Sequence, residues 1–340
     1  MPKKVILVIA LVVSTACLSQ VGGRATYQFL NLVNSPRQAA LGGKTITNYD
    51  YDPTQGLYNP ATINPEMDNQ LSLNYVNYIG DINYGSAAYA YQWDRRKTQV
   101  LHIGATYINY GSFDGFDEQG NETASFSGGE VALSVGHARN IAFTNFHVGG
   151  NLKLISSKLE QYTSFGAALD LGVFYLYEDW DLHISAVARN IGTQITPYED
   201  TYEKLPFELI LGISQTLENI PIRWHFTLEN MQRWEVAFAN PNRDENDLEG
   251  NSTPENINFF DNAFRHMILG LEFFPESGFN IRIGYNLRRA EELRILEQRA
   301  FAGLSAGFSV RFNKIRLSYS YAQYSTAAST SNFGLNINLQ

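Results

Sequence analysis

Residues Leu205–Asn230 read LPFELILGISQTLENIPIRWHFTLEN. Phe207, Leu209, Leu211 and Ile213 are apolar, with Glu208, Gly212 and Ser214 between them. After a break at 217–220, Trp224, Phe226 and Leu228 alternate with Arg223, His225, Thr227 and Glu229. A period of two places successive side chains on opposite faces of a β-strand. The fold turns on which face looks inward. In a soluble sandwich the apolar face is the core; in a membrane barrel it meets lipid and the polar face lines the interior.

The same alternation recurs from Leu71 to the end of the chain. It predicts strands at 70–79, 82–93, 99–109, 127–138, 143–156, 163–177, 180–191, 205–216, 220–231, 264–275, 278–288, 301–312, 314–324 and 331–340, about fourteen in all. Their connections sort by parity. Short turns (94–98, 139–142, 178–180, 217–219, 275–277, 313–314) alternate with longer segments (110–126, 192–204, 232–263, 289–300). Outer-membrane barrels have short periplasmic turns and longer extracellular loops in this order, and a sandwich has no reason to. Charge agrees: Phe279, Ile281, Ile283, Tyr285 and Leu287 share one face, while Arg282 and Arg288 lie on the other. An Arg on the lipid face costs roughly 2–4 kcal/mol at mid-depth. The expectation is an all-β, transmembrane antiparallel β-barrel whose polar face, with Glu208, Arg223, His225 and Glu229, looks into the lumen. Stretches 101–108 and 166–176 carry apolar residues on both faces, so part of the interior is expected to be apolar or filled. Tyr75, Tyr78, Tyr91, Trp93, Tyr107, Tyr110, Tyr177 and Trp180 sit near strand ends, as interfacial girdles or as ordinary strand aromatics.

The N-terminus reads as a secretory signal over 1–19: Lys3 and Lys4, an apolar run Val5–Val13, and small residues at Cys17 and Ser19 before Gln20. A lipoprotein cut before Cys17 is the alternative, with Ser14 where such sites usually carry Leu. A cut after Ser19 removes the one Cys, and with it disulfides and thiol chemistry. No later stretch has about 18 consecutive apolar residues, so no membrane helix is expected. The net charge of −9 argues against nucleic acid as a partner. Residues 20–69 stand apart: Gly, Pro and Asn are scattered through them, with turn chemistry and at most one short helix near Ala39. A short helix is also expected at 291–298.

Motifs for catalysis are weak. Gly303–Gly307 (GLSAG) matches a nucleophile elbow, but Ser305 lies within an alternating strand rather than on a strand-to-helix turn. No S-x-x-K or K-T-G occurs. The six His residues (102, 137, 147, 183, 225, 266) show no metal-ligand spacing and read as lumen hydrogen-bonders. The acidic run 242–256 reads as a solvated loop rather than a cation site, and the N-x-S/T matches at Asn121 and Asn251 are at chance level. No enzyme activity, metal or cofactor is expected. The longest connection, 232–263, carries Trp234, Phe238, Phe259 and Phe260, either as a partner-docking surface or as a lid folded over the barrel mouth.

AALGGKTI (39–46) followed by GLYNPATI (56–63), directly before the first strand, resembles the start of the FadL superfamily of outer-membrane barrels. There an N-P-A box, matched by Asn59, Pro60 and Ala61, belongs to a plug within a fourteen-stranded barrel. The resemblance thus implies a plug over 20–69 and a barrel over 70–340. GGRATYQFLNLVNSPRQAALGG (22–43) and LPFELILGIS (205–214) are similar to the PorQ family of type IX secretion barrels. That likeness spans essentially the whole chain after the signal. It implies a non-catalytic subunit of a cell-surface attachment complex in the bacterial outer membrane. Its implied partners are a PorZ-like surface protein, a PorU-like sortase, a PorV-like barrel, membrane lipid and lipopolysaccharide. Many such barrels end in Phe, whereas this sequence ends Leu339-Gln340. The second expectation is a FadL-like channel for hydrophobic small molecules.

Overall fold

The computed structural model describes residues 25–94, 99–117, 119–237, 245–246, 252–253, 257–292, 302–323 and 329–340. The signal at 1–19, with Cys17 and Ser19, lies outside them, as does Phe238. In chain order the strands are β1 (Gln70–Asn77), β2 (Asn83–Gln92), β3 (Val100–Phe116), β4 (Glu122–Asn140), β5 (Phe146–Leu159), β6 (Tyr162–Tyr177) and β7 (Leu182–Thr196). They continue as β8 (Glu208–Thr216), β9 (Ile222–Leu228), β10 (Glu245–Asn246), β11 (Ser252–Thr253), β12 (Met267–Phe273), β13 (Phe279–Asn286), β14 (Leu304–Phe312), β15 (Ile315–Gln323) and β16 (Ser329–Asn338). β10 and β11 form a separate two-stranded ribbon. The other fourteen close into one antiparallel barrel, sealed where β1 runs against β16 from Gln70↔Asn338 to Asn77↔Ser331. Closure leaves no unpaired edge, as a β-structure in lipid requires. No described helix is long and apolar enough to cross a membrane.

The facing follows the sequence pattern. On β13, Phe279, Ile281, Ile283 and Tyr285 are exposed, and Asn280, Arg282, Gly284 and Asn286 are buried. Around the opening stretch, Phe207 is 41% exposed and Glu208 1%. Arg223, His225 and Thr227 on β9 are buried as well. Lys153, Asp170, Arg189, Glu272 and Arg316 also point inward, so these charges are kept out of lipid. Heat-modifiable gel migration checks this architecture. The unheated protein should run ahead of the boiled one and fractionate with membranes; a single heat-independent band from a soluble periplasmic fraction would contradict it.

Three expectations need correction. Residues 110–126 are not a loop, because β3 and β4 continue as a hairpin to the pair Phe116↔Glu122. The ladder shifts register between Asn109 and Ser112 and again between Phe113 and Gly115. Beyond the lipid a strand needs no apolar face, so the alternation fades while the backbone pairing continues. Likewise β7 runs on to Thr196. The helix expected from 291 begins earlier, at Leu287, where the Asn286 side chain accepts from the Arg289 N–H at 3.0 Å and starts the turn; it is described to Glu292, and residues 293–298 of the expected span lie outside the described set. Finally, the aromatics divide. Tyr75, Tyr91 and Tyr107 are exposed on the wall, Trp93 just beyond β2 and Trp180 in the β6–β7 turn, whereas Tyr78 and Tyr110 pack with an interior cluster.

Candidate functional site

Inside the wall lies the segment 25–69. Its sequence dictates a chain of tight turns. Asp52-Pro53, Asn59-Pro60 and Asn64-Pro65 each open a short 3-10 turn, because proline fixes φ and has no N–H to satisfy. The preceding side chain accepts the next free N–H: Thr54 at 3.0 Å, Ala61 at 3.0 Å and Glu66 at 2.8 Å. The helix near Ala39 spans Pro36–Ala40. Gln38 within it is fully buried and bonds Thr45 and Gln55, closing the segment on itself.

The segment runs the length of the lumen. Thr26 N–H donates to Lys204 O at 3.0 Å at the end that carries the longer connections. Asn69 N–H donates to Ala90 O at 2.9 Å at the opposite end, where β1 begins. On the way Tyr27, Phe29 and Leu30 pack against Val76, Tyr84, Ile108, Ala132, Ile155 and Ala168. These are the inward apolar residues that made some strands read as apolar on both faces. Tyr49 stacks on Phe174 with centroids 5.1 Å apart. The wall comes close enough to touch backbone. A Cβ at Gly149 would lie 2.3 Å from Pro60 O, and one at Gly284 would lie 2.0 Å from Gly42 N. Asn59, Pro60 and Ala61 lie within this contact. Asn59 is buried and donates to Ile46 O at 2.7 Å and to Ser185 Oγ at 2.8 Å.

Two ionic clusters fasten the segment to the wall. Arg37 reaches Glu272 at 3.0 Å and also bonds Asp50, while Arg282 meets the other oxygen of Glu272 at 2.7 Å. Lys44 meets Glu208 at 2.6 Å, with Arg189 on the same carboxylate at 3.3 Å. Arg189 also donates to Leu30 O at 3.1 Å. Arg37, Lys44, Arg189, Glu208, Glu272 and Arg282 are all buried. Such charges stay ionised only while paired, and removing one partner typically costs about 3–5 kcal/mol. The histidines join in. His102 faces Pro53 O at 2.7 Å, and His183 faces Thr47 O at 2.9 Å. Among the described residues no cluster of ligating side chains forms a metal site. Two cavities lined by both segment and wall measure about 20 Å³ each, room for about one water. Sequence reasoning had no means of finding these pairs: Lys44 and Glu208 are 164 residues apart.

Ser305 is the second residue of β14 and is buried. Its hydroxyl donates to Ala40 O at 3.1 Å and lies 3.3 Å from Gly284 O, so it too ties segment to wall.

At the long-connection end, Asn258 caps a helix spanning Phe259–Arg265, and Asp261 returns a bond to the cap, giving a capping box. Asn262 Oδ1 accepts from Val236 N at 3.1 Å and Ala237 N at 3.0 Å, which holds the 234–237 strip against the helix. Trp234 and Phe259 lie 4.7 Å apart, with Phe260 edge-on to Phe259 at 5.7 Å. Phe259 and Phe260 remain 64% and 67% exposed. Phe264, 51% exposed, extends the patch and was missed. Its i,i+4 spacing from Phe260 was the available signal.

Against known structures, the chain is similar to a Pseudomonas aeruginosa FadL homologue, at 9% identity and TM-score 0.52, covering 90% of this chain and 98% of that one. The chain is a bacterial outer-membrane β-barrel with a FadL-like fold. CdiB from Acinetobacter baumannii (12% identity, TM-score 0.35, 79% of this chain and 59% of that one) and KdgM porin (6%, 0.32, 80% and 99%) are too distant to add to that. No protein-family model and no curated protein matches the chain. Outer-membrane barrels carry short turns on the periplasmic side and longer loops outside, and by that rule the described short turns are assigned to the periplasmic end and the aromatic patch to the outer one.

Proposed function

We propose that this barrel is a non-catalytic anchor of the type IX secretion cell-surface attachment complex, holding a PorZ-like surface protein beside a PorU-like sortase and a PorV-like barrel. The observation that carries the reading is the filled lumen: a buried, ion-paired segment crosses it from end to end. In this role residues 25–69 serve as a plug, Asn59, Pro60 and Ala61 as part of its seat, and Trp234, Phe259 and Phe260 as the docking surface. Exposed aromatic clusters of this kind are costly in water and enriched at interface cores. A pull-down of the tagged barrel from detergent-solubilised outer membrane should retain the PorZ-like protein in stoichiometric yield. Its absence, with intact barrel recovered, would remove the anchor role.

The second reading is a FadL-like channel for hydrophobic small molecules. It is favoured by the fold and by the apolar interior around Tyr27, Phe29 and Leu30. It requires the segment to move.

Catalysis by this chain is not part of either reading. Ser305→Ala should leave cargo processing unchanged, with barrel levels as the control. The hydroxyl is committed to Ala40 O in a buried strand, where no substrate carbonyl could approach. Lost processing at normal barrel levels would reopen the nucleophile reading.

A further inference from the structure

The periplasmic end of the barrel has relief of its own. The turns β6–β7 (178–181), β8–β9 (217–221) and β12–β13 (274–278) stand side by side, because β6 to β9 and then β12 and β13 are consecutive in the wall. They are bonded to one another. Phe274 N–H donates to Pro221 O at 2.7 Å, and Thr216 N–H to Asp181 O at 3.3 Å. Gln215 Nε2 donates to Trp180 O at 3.3 Å. Between them lies an open cleft of about 720 Å³.

The lining is one-signed. Glu178, Asp179, Asp181, Glu218 and Glu276 line the cleft, and no Lys or Arg does. Asp181 is already engaged, by His183 at 3.0 Å and Arg223 at 3.5 Å. Burial works to raise its pKa, but hydrogen bonds from His183 and Thr216 and the charge of Arg223 outweigh that and hold it at about 2. Among the described residues the other four carboxylates have no cationic partner. Set among them are the exposed side chains of Trp180, Ile220 and Phe274. Phe274 is held in the left-handed region (φ 57°). The cross-turn bond to Pro221 maintains it. A phospholipid headgroup does not match this lining, because its phosphate would meet four carboxylates with no cation beside them among the described residues. A polypeptide with lysines or arginines beside apolar side chains matches both parts of it.

We propose that this cleft docks a basic, apolar-tipped segment of a periplasmic protein. The surface lies on the face opposite the aromatic patch, so the proposal stands or falls independently of the attachment role. The test uses the full barrel in phosphatidylcholine nanodiscs. The probe is a fluorescent eight-residue peptide of alternating Lys and Leu, compared with the same peptide carrying Gln for Lys. Saturable binding of the Lys peptide is expected. It should weaken about tenfold or more in the Asp179→Lys, Glu218→Lys, Glu276→Lys triple variant, where like charges meet. It should weaken in the same direction in Asp179→Asn, Glu218→Gln, Glu276→Gln, in Ile220→Ser, and on raising salt. Heat-modifiable migration identifies folded variants. Equal binding to empty discs, equal affinity of wild type and the folded charge variants, or equal binding of the Gln peptide would each overturn the proposal.

Discussion

Glu272→Ala is expected to open the barrel. Glu272 is fully buried and is shared by Arg37 of the interior segment and Arg282 of the wall. Without it two guanidiniums face each other in the lumen, one with only Asp50 as a carboxylate partner and the other with none. The loss is about 3–5 kcal/mol, comparable to the net stability of many domains. The cheapest relief is withdrawal of Arg37, which draws the Pro36–Ala40 helix from the wall. In planar lipid bilayers the wild-type protein should be silent and the variant should conduct in steps. The unfolding temperature of the heat-modifiable form should fall as well. Glu272→Gln should behave similarly, because it keeps the volume and removes the charge. A wild type that conducts as the variant does would mean that the segment does not seal the lumen, and the channel reading would replace the anchor; two silent proteins would mean that Glu272 does not hold the segment in place.

The second large effect is expected outside the barrel. Phe259→Ser with Phe260→Ser removes two exposed rings from the cluster with Trp234. Aromatic residues at the centre of an interface commonly contribute about 2 kcal/mol or more each, so the pair should weaken docking by roughly a thousandfold. The helix itself should survive, since its capping box at Asn258 and Asp261 and the Asn262 tie to 236–237 do not use these rings. Barrel insertion should be normal and the PorZ-like protein should appear in the medium. Shortening 241–256 tests the remainder of the connection. If every such variant keeps the partner at the surface, this patch is not where it docks.

The wall was legible because one constraint, lipid outside and a polar interior, acts on every strand. Glu208 against Phe207 and Arg282 against Ile281 are local statements of it. The β3–β4 extension was illegible because 110–126 escapes that constraint; its Gly and Asp residues resemble a loop while the ladder continues. The fit between segment and wall was illegible for a different reason. Lys44 with Glu208, and Arg37 with Glu272, are chosen by three-dimensional neighbourhood, and no periodicity carries them. The turns within the segment were half legible: Asp-Pro and Asn-Pro announce tight turns but not what packs against them.

The interior segment precedes every barrel strand in the sequence, yet its contacts reach the last of them. Pro36 meets the backbone of Gly334 on β16, and Ala40 meets Gly307 on β14. Its seat is therefore incomplete until the final strand has been laid down. An unfinished sheet can hold only part of it, and the rest of its bonds become available as the β1–β16 seam closes. The segment's full set of contacts therefore exists only in the closed barrel, which is fastened from within by the stretch that precedes its strands.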